Sequence, residues 1–213
     1  MKAVVVSLHR SATRSTVAHL QHLGLRTTHY ITQDRKKEFR RAILGRETDL
    51  EHVFTVIEPA LAGYDAAGDV PVPVLYRQFE ARYPEAKFLL VLRDPSGWVK
   101  SVREHIGARP FAAPEKVQYW QYFPGKPERI GDLDDSQLVA MYGEHTARVE
   151  AHFASRPERL GVFQISDSDT PRRIAAFLGI DSTKPFPHVR HDEKKRTPLK
   201  RLAESIARRL FPR

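Results

Sequence analysis

Short apolar runs alternate along the chain with stretches whose apolar residues recur every three or four positions. The clearest runs are residues 3–8 (AVVVSL), 87–92 (KFLLVL) and 160–165 (LGVFQI). Runs of this kind fit strands covered on both faces of a sheet. The periodic stretches between them predict helices. Val17, Leu20 and Leu23 share one helical face, closed by Gly24, and residues 170–178 form another helix, closed by Gly179. Glycine takes the left-handed backbone past a helix end more easily than any other residue. Leu138, Val139, Tyr142, Val149 and Phe153 line one face of the longest helix, over residues 134–153. The alternation predicts an α/β domain, a three-layer sandwich with a central, largely parallel sheet and a phosphate-binding loop after the first strand.

Other segments carry weaker patterns. Short strands are expected near residues 27–31 and 64–69, and helices over 33–62 and 74–83. Phe39, Ala42 and Ile43 would share a face of the first of these helices, within which residues 53–57 fit helix or strand. Pro95 fits the first turn of a helix entered from the second apolar run. Residues 107–126, rich in proline and aromatic side chains, predict a long surface loop or lid. Its Tyr119, Trp120, Tyr122 and Phe123 can pack that loop or line an acceptor or adenine pocket. Trp98 reads as core.

The 213 residues, 41% hydrophobic and 29% charged, suit one domain with an ordinary core. The absence of cysteine excludes a disulfide scaffold, a thiolate metal site and a cysteine nucleophile. The eight histidines other than His29 and His105 show no metal-ligand spacing, and no metal is expected. No apolar run approaches the ~20 residues of a membrane span. Residues 1–8 are too short for a signal peptide. A soluble, cytoplasmic chain is expected, with no nucleic-acid partner.

Charge redistributes this picture. The chain carries 35 Lys and Arg against 26 Asp and Glu, a net +9. Residues 190–213 hold nine basic and three acidic residues, so +6 of the excess lies there and +3 in the rest. A domain over 1–190 and a basic C-terminal segment over 191–213 are expected. Leu199, Leu202, Ala203, Ile206 and Leu210 repeat on one helical face, with Lys200, Arg201, Arg208 and Arg209 around the rest. That pattern suits peripheral contact with an anionic membrane through 199–211, or a terminal helix docked with its basic face in water.

Two segments carry candidate chemistry. After the first apolar run comes Leu8-His9-Arg10-Ser11-Ala12-Thr13-Arg14-Ser15-Thr16. Hydroxyls, a cation and backbone N–H groups at a helix start converge there on an anion, unless the turn is only a polar cap. The nucleotide-triphosphatase pattern GxxxxGK[ST] is absent, which argues against an ATPase or kinase. After the second run comes Arg93-Asp94-Pro95, with Ser101 about two helical turns on. Arg93 stands at the strand edge where α/β proteins bind ligands, though taken alone the motif is better explained by a carboxylate partner for Arg93 and a solvent-facing Ser101.

Taken together and in order, these segments resemble the sulfotransferases that use 3′-phosphoadenosine 5′-phosphosulfate (PAPS), most of all their small bacterial branch. Residues 8–16 are similar to the first signature, L-P-R-[ST]-G-T-[TS]-S-L, and residues 92–101 to the second, [VL]-R-[DN]-P-x-x-x-x-x-S. Asp69-Val70-Pro71 with Tyr83-Pro84-Glu85-Ala86-Lys87-Phe88 is similar to a third block. The late stretches 159–163, 176–180 and 185–189 are similar to a fourth. The resemblance runs from Lys2 to about Val189.

The resemblance implies that Arg10, Ser11, Ala12, Thr13, Arg14 and Ser15 surround the phosphosulfate, with Arg10 facing the leaving phosphate. It implies that Arg93 and Ser101 hold the 3′-phosphate, and that Arg190, Lys194 and Lys195 can assist. The products would be 3′-phosphoadenosine 5′-phosphate (PAP) and a sulfated small molecule, glycan or lipid. No metal is required. His9 replaces the family's proline, Arg14 a hydroxyl and Ala12 a glycine. Alanine resists positive φ, so an altered loop is expected. Asp69 is the first candidate for the general base, matching an acidic residue of the third block, with His105, Glu58 and His29 as alternatives. A protein of the same fold without a base would bind a nucleotide or polyanion and catalyse nothing.

Overall fold

The computed structural model describes residues 1–187. The expected boundary near residue 190, the amphipathic pattern over 199–211 and the cations Arg190, Lys194 and Lys195 lie outside these residues. The apolar runs pair in a five-stranded sheet of β1 (Ala3–Val5), β2 (Thr27–His29), β3 (Ala66–Gly68), β4 (Lys87–Leu92) and β5 (Leu160–Gln164). Every ladder in it is parallel and the order is β2-β3-β1-β4-β5. In register, Val4 faces Ala67 on one side and Phe88 on the other.

Alternation along the strands builds two cores. Val4, Val6, Phe88 and Leu90 bury one face of the sheet against Phe39 of α2 (Lys36–Ala42), Phe54 of α3 (Leu50–Ile57), Phe79 of α4 (Tyr76–Arg82) and Phe153 of α7 (Asp135–Phe153). Ala3, Val5, Leu89 and Val91 bury the other against Val17 and Leu20 of α1 (Thr13–His22) and Ile174 of α8 (Thr170–Phe177). These layers form the expected three-layer α/β sandwich. A third cluster joins Leu8, Trp98, Val102, Tyr119, Leu138 and Tyr142 across α5 (Pro95–Ile106), α6 (Ala113–Tyr119) and α7. Pro95 opens α5, and the Asp94 carboxylate caps it by accepting from the Gly97 N–H at 2.7 Å.

Several expectations change. Regular β1 ends at Val5, although the Val6 N–H still reaches the Leu89 carbonyl at 2.9 Å. The expected helix over 33–62 is two helices with short 3₁₀ turns before and after them, and residues 53–57 lie in α3. Gly45, at φ 76°, turns the chain between α2 and α3, leaving Ala42 exposed while Phe39 and Ile43 are buried. Residues 107–126 contain α6, whose Val117 and Tyr119 are fully buried, so the stretch is not simply a surface loop. On α7, Val139 is 40% exposed, and the buried face runs through Leu138, Met141, Tyr142, His145 and Val149. The true face includes a histidine, which a hydrophobic template passes over.

The topology creates a crevice. From β1 the chain goes out to β2, returns to β3 and then crosses β1 to β4. The segments leaving β1 and β4 therefore depart in opposite directions, and the space between them opens at the carboxyl edge of the sheet.

Candidate active site

Both basic motifs meet in that crevice. Leu8 anchors the loop after β1 in the core at 1% exposure, and the Ser11 N–H turns back to the Leu8 carbonyl at 3.1 Å. Arg10 and Ala12 both take left-handed backbone, with φ 67° and 59°. Ala12 thus takes positive φ although it carries a Cβ. An L-residue there costs about 1–2 kcal/mol. Ala12 caps α1 without a side-chain bond, so the helix start is left to its backbone N–H groups. The Ser11 hydroxyl beside it is buried and has no hydrogen-bond partner among the described residues.

Arg10 Nε donates to Ser101 Oγ at 3.1 Å, joining the two motifs across 91 positions of sequence. Arg93 Nη1 reaches the Arg10 carbonyl at 3.4 Å. Burial lowers the Arg10 pKa, Asp69 raises it, and Arg93 and Arg14 lower it further. Three arginines therefore act on one small volume, an arrangement that draws in a multiply charged anion. Ser15 is half-buried on the first turn of α1.

The candidate bases separate. Asp69 directly follows β3 with φ 69°, and its Oδ1 accepts from the Val70 N–H at 3.0 Å. His29 ends β2, the neighbouring strand, and its Nε2 is 3.1 Å from Asp69 Oδ2. Thr13 Oγ1 lies 3.4 Å from the same nitrogen. Two candidates are thus one pair, touching the anion loop. His105, on the last turn of α5, has its pKa lowered by partial desolvation and then by Arg10 and Arg109. Glu58 is elsewhere, ion-paired with Arg82 at the end of α4, close to where the chain enters β4.

Supports for the site escaped the sequence reading. His9 is buried, with Nε2 2.9 Å from the Tyr119 hydroxyl, while its carbonyl accepts from Trp98 Nε1 at 2.8 Å. Burial lowers the His9 pKa to about 4, so the ring is a neutral strut under the loop. Tyr142 accepts from the Arg93 N–H at 2.8 Å. The buried Glu115 carboxylate holds Arg109 with two bonds of 2.6 and 2.7 Å and also accepts from the Ala112 N–H. Tyr119 stood in the aromatic stretch already noted, but nothing in the sequence links it to His9, 110 positions away. Among the described residues no group of three or more His, Asp or Glu is placed to hold a metal ion.

A family profile described as "Sulfotransferase domain" matches residues 2–195. The chain belongs to the sulfotransferase family. Membership supports a transferase that moves sulfuryl groups. A curated protein, Ava biosynthesis cluster protein M of Aspergillus versicolor, is 27% identical over 112 residues to this sulfotransferase-family chain. That match takes in 50% of the chain and 43% of the Aspergillus protein, so the chain spans less than half of that relative. Among solved structures, a sulfotransferase from Alicyclobacillus acidocaldarius is similar at 18% identity and a TM-score of 0.49, covering 97% of this chain and 93% of that one. An uncharacterized protein from Eubacterium ventriosum is similar at 11% identity and a TM-score of 0.38, covering 84% and 98%.

Proposed function

We propose that this chain transfers a sulfuryl group from PAPS to a hydroxyl of a small molecule, glycan or lipid by in-line displacement. One observation carries the reading: Arg10, Arg93 and Ser101 converge at the switch point of the sheet, bonded to one another. The buried Ser11 hydroxyl and the uncapped start of α1 suit a ligand rich in acceptor oxygens. PAPS, when bound, supplies the sulfuryl group, whose bond to the phosphate oxygen breaks as the bond to the acceptor oxygen forms. Backbone and side chains of Arg10, Ser11, Ala12, Thr13, Arg14 and Ser15 surround the phosphosulfate. Arg93 and Ser101 hold the 3′-phosphate. Arg10 stabilises charge that grows on the leaving phosphate, which is where a fixed cation helps most. Asp69 accepts the hydroxyl proton, His29 orients it, and His105 is the alternative base. No step needs a metal.

Peripheral contact of residues 199–211 with an anionic membrane belongs to this reading on charge pattern alone. Among the described residues no helix is long and apolar enough to cross a membrane.

The deciding measurement is thermal unfolding with PAP. At a hundred times its dissociation constant PAP adds about 2.7 kcal/mol, or about 5–10 °C for a domain of this size. ATP with magnesium, which lacks a 3′-phosphate, should shift the midpoint far less. Equal shifts would overturn the assignment of Arg93 and Ser101 and the donor with it.

A further inference from the structure

The basic excess of the domain gathers on one element. Residues 33–44 carry Arg35, Lys36, Lys37, Arg40 and Arg41 against Asp34 and Glu38, a net +3 that equals the whole excess of the chain before Arg190. Arg35 and Glu38 offset each other, and the Lys36 ammonium lies over the Tyr30 ring, 5.4 Å from its centroid. The acids that follow are engaged elsewhere. Glu47 is buried, Asp49 pairs with Arg46 and caps α3, and Glu51 accepts from Gln78. Lys37, Arg40 and Arg41 remain, all exposed and without an ion pair among the described residues.

The helix turns these three outward. Phe39 and Ile43, four positions apart, are buried and hold α2 on the core. At about 100° per residue, Lys37 and Arg41 fall opposite that pair, with Arg40 at their flank. Leu44 follows directly, in the turn that Gly45 closes with φ 76°. It is 70% exposed, whereas the next large apolar side chains, Val139 and Tyr64, are 40% and 39% exposed. An exposed leucine beside three unpaired cations supplies both halves of an interfacial contact: charge for anionic headgroups and an apolar side chain for the layer beneath them. A nucleic acid would use the cations but gives the leucine nothing to enter. The one aromatic residue of the stretch, Phe39, is buried and stacks on no base.

We propose that α2 and the turn after it form a docking surface for an anionic lipid bilayer, with Lys37, Arg40 and Arg41 on the headgroups and Leu44 inserted between them. The surface is separate from residues 199–211 and depends on neither the sulfuryl donor nor the acceptor. Each cation near such a bilayer strengthens binding about fivefold, so the contact is reversible and salt-sensitive.

The test uses the full chain and vesicles of equal parts phosphatidylcholine and phosphatidylserine, with pure phosphatidylcholine vesicles as the control. Binding by sedimentation should be at least about tenfold stronger to the mixed vesicles, and should weaken as salt rises from about 0.1 to about 0.5 M. Lys37→Gln with Arg40→Gln and Arg41→Gln should weaken it at least about tenfold and leave the thermal midpoint unchanged. Leu44→Trp should be quenched by bromine-labelled lipids in the mixed vesicles, while the native Trp98 and Trp120 should not be. Adding Leu202→Asp with Ile206→Asp, which removes the apolar face of the C-terminal pattern, should leave that quenching in place. Undiminished vesicle binding in the triple glutamine variant would overturn the proposal, as would the absence of quenching in Leu44→Trp. Loss of the quenching on adding Leu202→Asp with Ile206→Asp would also overturn it, because the contact would then belong to the C-terminal segment. If the triple variant instead lost binding to a short DNA duplex and kept its binding to vesicles, the surface would be a nucleic-acid site and the lipid assignment would fall.

Discussion

Acidification should destabilise this protein well above the range in which carboxylates titrate, through two buried histidines. His9 and His145 are 3% and 1% exposed, and burial lowers the pKa of each from 6.5 to about 4. His145 Nε2 donates to the Val6 carbonyl at 2.7 Å, which leaves Nδ1 to accept from the Tyr122 hydroxyl at 2.6 Å. Protonation of either ring would place a charge in the core, and burial opposes it. The unfolded chain protonates both near pH 6.5, so between pH 6.5 and 4 it binds more protons than the folded state. Stability is therefore complete above pH 6.5 and falls as pH drops, by up to about 1.4 kcal/mol per unit for each ring. From pH 7.5 to 5 the loss is about 2 kcal/mol each, about 4 together, against a usual total of about 5–15 kcal/mol. His19 and His105, also lowered by burial, add to the fall. Urea unfolding followed by the fluorescence of buried Trp98 measures it, and at a slope of about 2 kcal/mol per molar the midpoint should drop by about 2 M. His145→Gln should be less stable at pH 7.5 yet lose about 1.4 kcal/mol per unit of the slope at pH 5.5. A midpoint flat from pH 7.5 to 5, or an unchanged slope in the variant, would refute the assignment of these rings as neutral.

Other outcomes follow from single residues. Ala12→Gly should leave the loop conformation unchanged and raise stability by up to about 1 kcal/mol, since relief of left-handed strain exceeds glycine's entropy cost; chemical denaturation checks it, and a loss of stability would contradict the φ of 59°. Gly68→Ala places a Cβ 2.8 Å from Val17 Cγ2 and 3.0 Å from Val5 Cβ, and should cost about 1–3 kcal/mol by forcing α1 off the sheet, read as a lower melting point. Arg93→Ala should chiefly weaken PAP binding, whereas Arg10→Ala should chiefly lower kcat; calorimetry and steady-state kinetics together separate the two, and an Arg10 effect confined to affinity would remove its role in bond breaking. Asp69→Asn should lower kcat by roughly 10²-fold with PAP binding intact, and a mild effect would move the base to His105.

Most elements and both candidate motifs were legible in the chain because they are local. A buried parallel strand announces itself by its unbroken apolar run, and β4 has the bounds that KFLLVL suggests. Asp94-Pro95 opens a helix because a capping carboxylate and a proline suit a helix start wherever they occur. Local pattern misled where burial was decided from a distance. Residues 107–126 look like a loop by their prolines, yet α6 forms there because Tyr119 stacks on Phe111 and meets His9 from the loop after β1. His145 looks polar, yet it is core because Val6 and Tyr122 satisfy both of its nitrogens. The strand order was beyond the reach of any local signal. The crossing from β3 past β1 to β4 brings Arg10 to Ser101, the pairing of β2 with β3 sets His29 against Asp69, and Glu58 is held in another part of the molecule. Residue type sets which groups can bind an anion or move a proton. Which of them meet depends on contacts between residues tens of positions apart, and those exist only once the sheet is assembled.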